Sequence, residues 1–224
     1  CIRDRYLAAV VDAREKLRAA KPEDKMTVFA VLMRLREICC DPRLVADNWT
    51  GSSAKLEACL ELVTEAVAGG HRILLFSQFT SMLELLAKRL DEAGVSHFTL
   101  QGSTPKPVRA EQVRRFNQGE ADVFLISLRA GGTGLNLTAA DIVIHYDPWW
   151  NLAAQNQATD RAYRIGQRNP VQVYRLIAQD TIEEKIVELQ QAKQSLADTV
   201  TGGADGAILS MNPEQLLQLL GEEA

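Results

Sequence analysis

The stretch from position 72 to position 100, "RILLFSQFTSMLELLAKRLDEAGVSHFTL", contains the pattern that decides the fold. It opens with "RILLFS", a short apolar run of strand length, and continues into "TSMLELLAKRLDEAG", where apolar residues recur at helical spacing. "SHFTL" then predicts a second strand. A strand, an amphipathic helix and another strand in this order are typical of parallel strands that are joined through a helix.

The same alternation continues towards the end of the chain. Short apolar runs predict three more strands, and amphipathic stretches between them predict helices. In chain order these segments are "VRAEQVRRFNQG", "DVFLIS", "DIVIHY", "LAAQNQATDRAYR" and "VQVYRLIA". The sequence therefore predicts an α/β fold, in which a parallel sheet is covered by helices on both faces.

Helical patterns flank this region on both sides. Apolar residues three and four apart predict two helices before residue 50, separated by Pro22, and a third helix that ends at Gly69 and Gly70. Further on, "QDTIEEKIVELQQAKQSLADTV" predicts a long helix that opens with a capping box from Asp180 to Glu183. The expected segments are an N-terminal helical segment at 1–50, the sheet domain at 51–178, a C-terminal helix at 179–200, and a linker with a short helix at 201–224.

Composition excludes several classes of protein. The sequence has no run of about eighteen apolar residues, which a membrane span requires, and no charged-then-apolar secretory leader. Its histidines and cysteines lack the spacing of zinc ligands, so no metal site is expected. Adjacent cysteines at the end of an apolar helical pattern indicate buried thiols in a reducing compartment. We therefore expect an intracellular protein that does not contact a membrane.

The net charge of −4 conceals a positive middle region. Residues 101–175 carry 9 basic and 6 acidic side chains, whereas residues 180–224 carry 2 basic and 9 acidic ones. A local positive surplus can serve an anionic ligand such as phosphate, although a solvated surface has the same composition. Charge alone leaves both interpretations open.

Ligands of open α/β sheets bind at the loops that leave the carboxyl ends of the strands. One such loop, "QGSTPKPVR", contains five residues with hydroxyl, cationic or open backbone groups, namely Gly102, Ser103, Thr104, Lys106 and Arg109. Hydroxyls, backbone N–H groups and a helix N-terminus donate the hydrogen bonds that phosphate oxygens accept. The loop is consistent with a phosphate contact, and a merely solvated loop is the alternative.

A second loop, "RAGGTGLN" at 129–136, offers three glycines directly after a predicted buried strand. Glycines let a backbone approach a ligand closely and expose N–H groups to phosphate oxygens. A dinucleotide fingerprint would need glycine in place of Leu137 and a helix immediately afterwards, whereas the chain returns to a strand. Because a tight turn explains one glycine more easily than three, a phosphate or nucleic-acid backbone contact is favoured.

Two tryptophans, Trp149 and Trp150, stand side by side after the fourth predicted strand. Two adjacent indoles seldom both bury, so one of them is expected to offer a stacking or wedging surface. This surface would lie at the same edge of the predicted sheet as the two loops.

The segment "DRAYRIGQ" at 160–167 places Arg161 and Arg164 one helical turn apart. Two guanidiniums on one helix face repel each other unless an anion lies opposite. Near a phosphate-binding loop, this is the arrangement of arginine fingers, which neutralise charge on a transferred γ-phosphoryl group. The sequence contains neither a G-x-x-x-x-G-K-[ST] motif nor an acidic box that would hold magnesium, and a structural salt bridge is the alternative.

Several of these stretches resemble the second-lobe motifs of the SWI/SNF-type ATPases of helicase superfamily two. In matching order and spacing they are "LLFSQF", "LQGSTPKPVRAEQVRRFN", "VFLISLRAGGTGLNLTAADIVIHYDPWWN" and "QATDRAYRIGQ". The resemblance covers roughly residues 28–200 and implies a C-terminal RecA-like lobe. In this family two such lobes clamp ATP between them and move along double-stranded DNA.

The resemblance, together with the chemistry of the loops, implies roles for individual residues. Arg161 and Arg164 would be catalytic arginines that reach across the cleft to ATP. The positions expected to bind the nucleotide are Gly132, Gly134, Asn136, Gln157 and Asp160. The positions expected near DNA are Ser77, Gln78, Gly102, Ser103, Lys106, Arg109, Ser127, Arg129 and Trp150. ATP and Mg²⁺ would be held mainly by an N-terminal lobe of the same parent protein.

The sequence departs from the family pattern at three positions. Leu152 replaces a usual proline, Gln155 stands where an acidic residue is common, and Tyr163 replaces a usual histidine. Neither arginine is affected, so ATP engagement is expected to survive. The helix start near Leu152 is expected to differ in geometry.

The expected function is that of the C-terminal motor lobe of a DNA-dependent ATPase that translocates on double-stranded DNA. Its expected partners are duplex DNA and the N-terminal lobe, and its expected location is the bacterial cytoplasm, or the nucleus of a eukaryote. This chain alone is not expected to hydrolyse ATP. The alternative is a stand-alone nucleic-acid or protein-interaction module on a RecA-like scaffold. Whether the isolated lobe binds DNA without the other lobe would distinguish this alternative from the motor lobe.

Overall fold

The computed structural model describes residues 2–46, 49–128, 130, 135–149, 152–160, 170–197 and 211–221. By its backbone contacts the chain divides into two compact units. The sheet unit comprises Ala54–Leu176, and the helical unit comprises Cys1–Ser53 together with Ile177–Ala224.

The described secondary structure alternates as the sequence predicts. The helices are α1 Ile2–Ala19, α2 Lys25–Cys40, α3 Ala54–Ala68, α4 Thr80–Glu92, α5 Lys106–Asn117, α6 Leu152–Thr159, α7 Ile182–Ala197 and α8 Pro213–Leu219. The strands are β1 Ile73–Ser77, β2 His97–Leu100, β3 Val123–Ser127, β4 Ile142–His145 and β5 Gln172–Arg175. A short 3-10 helix at Pro42–Leu44 follows α2. The strands pair in parallel in the order β2-β3-β1-β4-β5, so the predicted α/β fold with a parallel sheet is confirmed.

The path of the chain through the sheet places helices on both of its faces. From β1 the chain crosses to β2 at the edge of the sheet, and from β2 it returns to β3. Crossovers between parallel strands are right-handed, so these opposite directions put α4 and α5 on opposite faces. The central strands β1 and β3 are buried along their whole length, as a sheet covered on both sides requires.

The core on the α5 face is built from aromatic and aliphatic side chains. Leu74 and Phe76 of β1 belong to one buried cluster with Phe116 of α5 and Ala158 of α6. Alternate residues of a strand point to opposite faces. The other residues of β1 therefore face α4, which buries an apolar stripe of Met82, Leu83, Leu86 and Leu90. Thus α6, which precedes the two predicted arginine fingers, packs on the same face as α5.

The helical unit packs through stripes at helical spacing. The buried residues of α1 are Tyr6, Val10, Ala13 and Leu17, each three or four positions from the next. The Tyr6 hydroxyl accepts a hydrogen bond of 2.6 Å from the backbone N–H of Ile182 at the start of α7. The helices predicted near both termini are thereby confirmed, and α1 and α7 belong to one unit.

The ends of the helices agree with the sequence in part. Gly70 (φ 81°) follows α3 and Gly94 (φ 69°) follows α4, in the left-handed conformation that glycine adopts most easily. The predicted capping box from Asp180 is wrong. Asp180 has a φ of 57° outside the helix, and the Thr181 hydroxyl accepts from the N–H of Glu183 at 3.2 Å. The Glu183 carboxylate instead accepts from the N–H of Ala178 at 2.8 Å.

The cysteines within the described residues behave as core thiols. Cys39, Cys40 and Cys59 are buried, as predicted, and none of the three is in a disulfide bond. Burial raises the pKa of the Cys59 thiol to about 12, which keeps it protonated and unreactive at neutral pH.

No helix in the described part of the chain is long and apolar enough to cross a membrane.

Candidate functional site

The carboxyl edge of the sheet collects the loops that the sequence singled out. Ser77 ends β1 and Ser127 ends β3, and the two residues are direct partners in the parallel register. Both side chains are buried. The backbone N–H of Leu128 donates to the carbonyl of Ser77 at 3.0 Å, which continues the pairing by one step beyond β3. Both predicted serines therefore lie buried at this edge, and their side chains are not part of its exposed surface.

A buried carboxylate that sequence reasoning missed joins two of these loops. The Ser77 hydroxyl donates to Asp147 at 2.5 Å, and the backbone N–H of Gln78 approaches the same carboxylate at 3.3 Å. The Ser77 hydroxyl oxygen also accepts from the N–H of Phe79 at 3.2 Å. The available signal was an acidic residue directly after the apolar run "DIVIHY", at the exit of a predicted strand. Asp147 thus fixes the backbone at which β1 ends.

The loop between β2 and α5 presents the exposed groups of the edge. Gly102, Ser103 and Lys106 are exposed. A Cβ added to Gly102 would meet nothing within 4 Å, so the space beside this backbone is open. The Thr104 hydroxyl accepts from the N–H of Gln101 at 3.0 Å, which shapes the turn. The loop therefore directs a hydroxyl, an ammonium and the N-terminus of a twelve-residue helix towards solvent.

Arg109 connects this loop to the segment that follows β3. Its guanidinium donates to the carbonyl of Ala130 at 3.3 Å and to the carbonyl of Thr104 at 3.4 Å. The side chain is half-buried between these two backbone groups. The arginine predicted to touch DNA thus also holds the loop before α5 and the start of the glycine-rich segment together.

Asn136 lies at the other end of the glycine-rich segment, where its side chain is exposed. Its carbonyl accepts from the side-chain amide of Asn117 at 2.8 Å. The Asn117 amide oxygen in turn accepts from the N–H of Ala139 at 3.2 Å. Sequence reasoning missed Asn117, because its partners are about twenty positions away and no local spacing marks it.

Helix α6 and the residue directly after it carry the two remaining described site residues. Gln157 and Asp160 are exposed and stand three positions apart, which puts them on one side of the helix. Each lies two positions after a buried residue, Gln155 in the first case and Ala158 in the second. The structure therefore brings Gln157 and Asp160 together at the surface, while the residues between them anchor the helix.

Two side-chain contacts fix α6 relative to β4. The backbone N–H of Trp149 donates to the Gln155 side-chain oxygen at 3.1 Å. At the other end of the helix the ring of His145 lies 2.9 Å from the Thr159 hydroxyl. Burial, together with the positive charge of Arg175, lowers the pKa of His145 to about 3, so the ring is neutral at physiological pH.

Several predicted site residues lie outside the described residues. They are Arg129, Gly132, Gly134, Trp150, Arg161 and Arg164. Within the described ranges, no group of three or more histidine, cysteine, aspartate or glutamate side chains is arranged to hold a metal ion.

Comparison with known proteins identifies the family. Residues 54–166 match the family described as helicase conserved C-terminal domain. An uncharacterised ATP-dependent helicase of Mycoplasma pneumoniae is 38% identical over 92% of this chain and 20% of its own length. A SWI/SNF-related, matrix-associated, actin-dependent regulator of chromatin (subfamily A member 1) from Mus musculus is 36% identical over 88% of this chain and 20% of its own length. This chain thus spans about a fifth of the length of these relatives.

A solved structure agrees with this assignment. The Sulfolobus solfataricus SWI2/SNF2 ATPase core in complex with double-stranded DNA matches with a TM-score of 0.80 and 29% sequence identity. The match covers 99% of this chain and 47% of the other. The resemblance found in the sequence motifs is thereby confirmed by fold and by family. This chain therefore belongs to the helicase conserved C-terminal domain family, as a SWI/SNF-type C-terminal RecA-like lobe of the helicase-like ATPases.

Proposed function

We propose that this chain is the C-terminal motor lobe of a DNA-dependent ATPase that translocates along double-stranded DNA. The observation that carries the proposal is the loop before α5, where exposed Gly102, Ser103 and Lys106 meet the N-terminus of that helix at the carboxyl edge of the sheet. A helix N-terminus beside a cation and a hydroxyl is suited to backbone phosphates. The relative solved with double-stranded DNA supports the choice of duplex as the substrate.

Contacts to the DNA backbone hold one strand with little dependence on base sequence. Lys106 and Ser103 donate directly to phosphates, and the sequence motifs assign Arg129 and Trp150 to the same DNA contact. Ser77 and Ser127 support this surface indirectly. Their side chains are buried, and the Ser77 hydroxyl is bonded to Asp147. Gln78 is half-buried, and its backbone N–H lies near the Asp147 carboxylate. This residue borders the bound DNA strand.

Arg161 and Arg164 supply the arginine fingers for ATP hydrolysis. ATP, when bound, supplies the γ-phosphoryl group, and the two guanidiniums neutralise the negative charge that develops on it. The side-chain amides of Asn136 and Gln157 are exposed and can donate to phosphate or ribose oxygens, which supports their assignment to the nucleotide. The other residues of this lobe that we assign to the nucleotide are Gly132, Gly134 and Asp160.

ATP and Mg²⁺ are held mainly by an N-terminal RecA-like lobe of the same parent protein. This assignment rests on the sequence, which has no G-x-x-x-x-G-K-[ST] motif and no acidic box after a strand. Closure of the two lobes brings the arginines to the γ-phosphate, and hydrolysis lets the lobes reopen. We expect the protein to act inside the cell, where its DNA substrate lies.

The test compares the full-length protein with this chain alone. We expect the full-length protein to hydrolyse ATP faster when duplex DNA is added, and to displace the third strand of a DNA triplex in an ATP-dependent manner. This chain alone should do neither. If the full-length protein binds duplex DNA but neither hydrolyses ATP nor moves, the lobe is a nucleic-acid-binding module on a RecA-like scaffold and the proposal is wrong.

A further inference from the structure

Helix α5 contacts both described ends of the glycine-rich segment. At its first turns Arg109 donates to the carbonyl of Ala130 at 3.3 Å. At its last residue Asn117 donates to the carbonyl of Asn136 at 2.8 Å and accepts from the N–H of Ala139 at 3.2 Å. One helix thus holds the start and the end of a segment that leaves the adjacent strand β3.

The two contacts of Asn117 form a two-point clamp on the backbone. An asparagine amide offers a donor and an acceptor in one plane, and here each meets a backbone group of the complementary type. A single hydrogen bond would allow the segment to rotate about it, whereas two bonds to residues three positions apart fix its orientation. The clamp therefore holds the backbone that carries the exposed side chain of Asn136.

The other end of α5 lies at the proposed DNA surface. Lys106 is the first residue of the helix, and the exposed Gly102 and Ser103 precede it. Phe116, next to Asn117, is fully buried in the core of the sheet unit and contacts Phe124 of β3 with ring centroids 5.3 Å apart. Helix α5 is therefore anchored at its C-terminal end, and a phosphate bound at its first turn would hold the other end of the same stiff element.

We propose that Asn117 is a positioning residue, which couples DNA occupancy at the N-terminus of α5 to the placement of Asn136 beside the nucleotide. This inference rests on the proposed function. When a phosphate is bound at the first turn of α5, both ends of the helix are held, and Asn117 keeps the backbone of the 136–139 segment in one position. Asn117 itself touches neither DNA nor ATP.

The test uses the full-length protein with Asn117→Ala, Asn117→Asp and the matched control Gln118→Ala. Gln118 directly follows α5, is exposed, and accepts a hydrogen bond from Arg114 of that helix through its side-chain oxygen. The aspartate variant keeps an acceptor for Ala139 but loses the donor to Asn136, and it remains almost isosteric if the alanine variant folds poorly. The readouts are hydrolysis with and without duplex DNA, the dissociation constant for DNA, the melting temperature, and hydrogen exchange of the Ala139 amide.

The expected result is a selective loss of coupling. In both Asn117 variants DNA stimulation of hydrolysis should fall by about ten- to a hundredfold, the size of a rate loss that misplacement of about 1 Å can cause. The dissociation constant for DNA, the melting temperature and the basal rate should stay near wild type, and exchange at Ala139 should accelerate in Asn117→Ala. Gln118→Ala should behave as wild type.

Two other results would overturn the inference in distinguishable ways. In the first, wild type is stimulated by DNA, and the Asn117 variants either are stimulated equally or lose basal rate and melting temperature in step with stimulation. Asn117 then has no coupling role, and the motor proposal stands. If wild type itself shows no DNA-stimulated hydrolysis, the proposed function fails and the coupling role fails with it.

Discussion

The Ser77 hydroxyl donates to a carboxylate oxygen of Asp147 across 2.5 Å, and this bond links the exits of the neighbouring strands β1 and β4. Both residues are buried. A carboxylate in such a place is stable only while it receives hydrogen bonds, because the interior cannot solvate it as water does. The bond therefore holds the first loop of the carboxyl edge to the loop that leads into α6.

Removal of the Ser77 hydroxyl should destabilise the protein. Ser77→Ala takes away a short bond to a buried carboxylate, so we expect the free energy of unfolding to fall by about 2 kcal/mol. The matched control is Ser96→Ala, because Ser96 donates to Asp122 at 2.6 Å in an exposed pair. Water can replace that bond, and the loss should stay within about 0.5 kcal/mol. Urea unfolding of both variants measures the difference, and equal losses would contradict the special role of the buried pair.

The buried His145 should make the protein sensitive to acid. Burial lowers its pKa to about 3 in the folded state, while an unfolded histidine titrates near 6.5. Below pH 6.5 the unfolded chain binds the proton and the folded chain does not, so stability falls with falling pH. Between pH 7.5 and pH 5 this single group removes about 2 kcal/mol.

The measurement for His145 is urea unfolding at both pH values in wild type, His145→Gln and His71→Gln. Glutamine at 145 can still donate towards Thr159 but does not titrate, so its stability should depend less steeply on pH. His71→Gln leaves His145 in place, so the loss of stability that His145 causes on acidification should remain. If His145→Gln is as acid-sensitive as wild type, another group is responsible.

The proposed phosphate contact of Lys106 should be visible in the salt dependence of DNA binding. Lys106→Ala should weaken binding to all duplex sequences alike and reduce the slope of log K against log salt by about 1. Lys88→Ala is the control, because Lys88 is exposed near the C-terminus of α4, at the opposite edge of the sheet from Lys106. An unchanged slope in Lys106→Ala, or an equal change in both variants, would remove Lys106 from the DNA surface.

The helices and strands of the fold follow from local sequence patterns, and the strongest patterns were sufficient to predict β1 and β3. The runs that became β1 and β3 are continuously apolar because both faces of the sheet are covered. Helix α5 begins at Lys106, two residues before the predicted "VRAEQVRRFNQG", because Pro107 in the first turn lacks only an N–H that the helix does not use. The capping box failed because Asp180 adopts a left-handed conformation, which moved the cap to Thr181.

The candidate site was predictable only where its residues form a motif along the chain. The loop from Gly102 to Lys106 is such a motif, and its exposed position agrees with the expectation. Asp147 and Asn117 could not be found in this way, since their partners lie 70 and about 20 positions away in sequence. Contacts of this range arise from the parallel pairing of the strands, which local spacing does not encode.

The most direct test of the central claim is DNA-stimulated ATP hydrolysis by the full-length protein with Arg164→Ala, beside Arg168→Ala as a nearby arginine control. If Arg164 neutralises charge in the transition state, the Arg164→Ala rate should fall by about a thousandfold or more, while ATP and DNA binding persist and Arg168→Ala stays near wild type. Hydrolysis at the wild-type rate by Arg164→Ala would show that this arginine is not a finger, and would contradict the proposed mechanism.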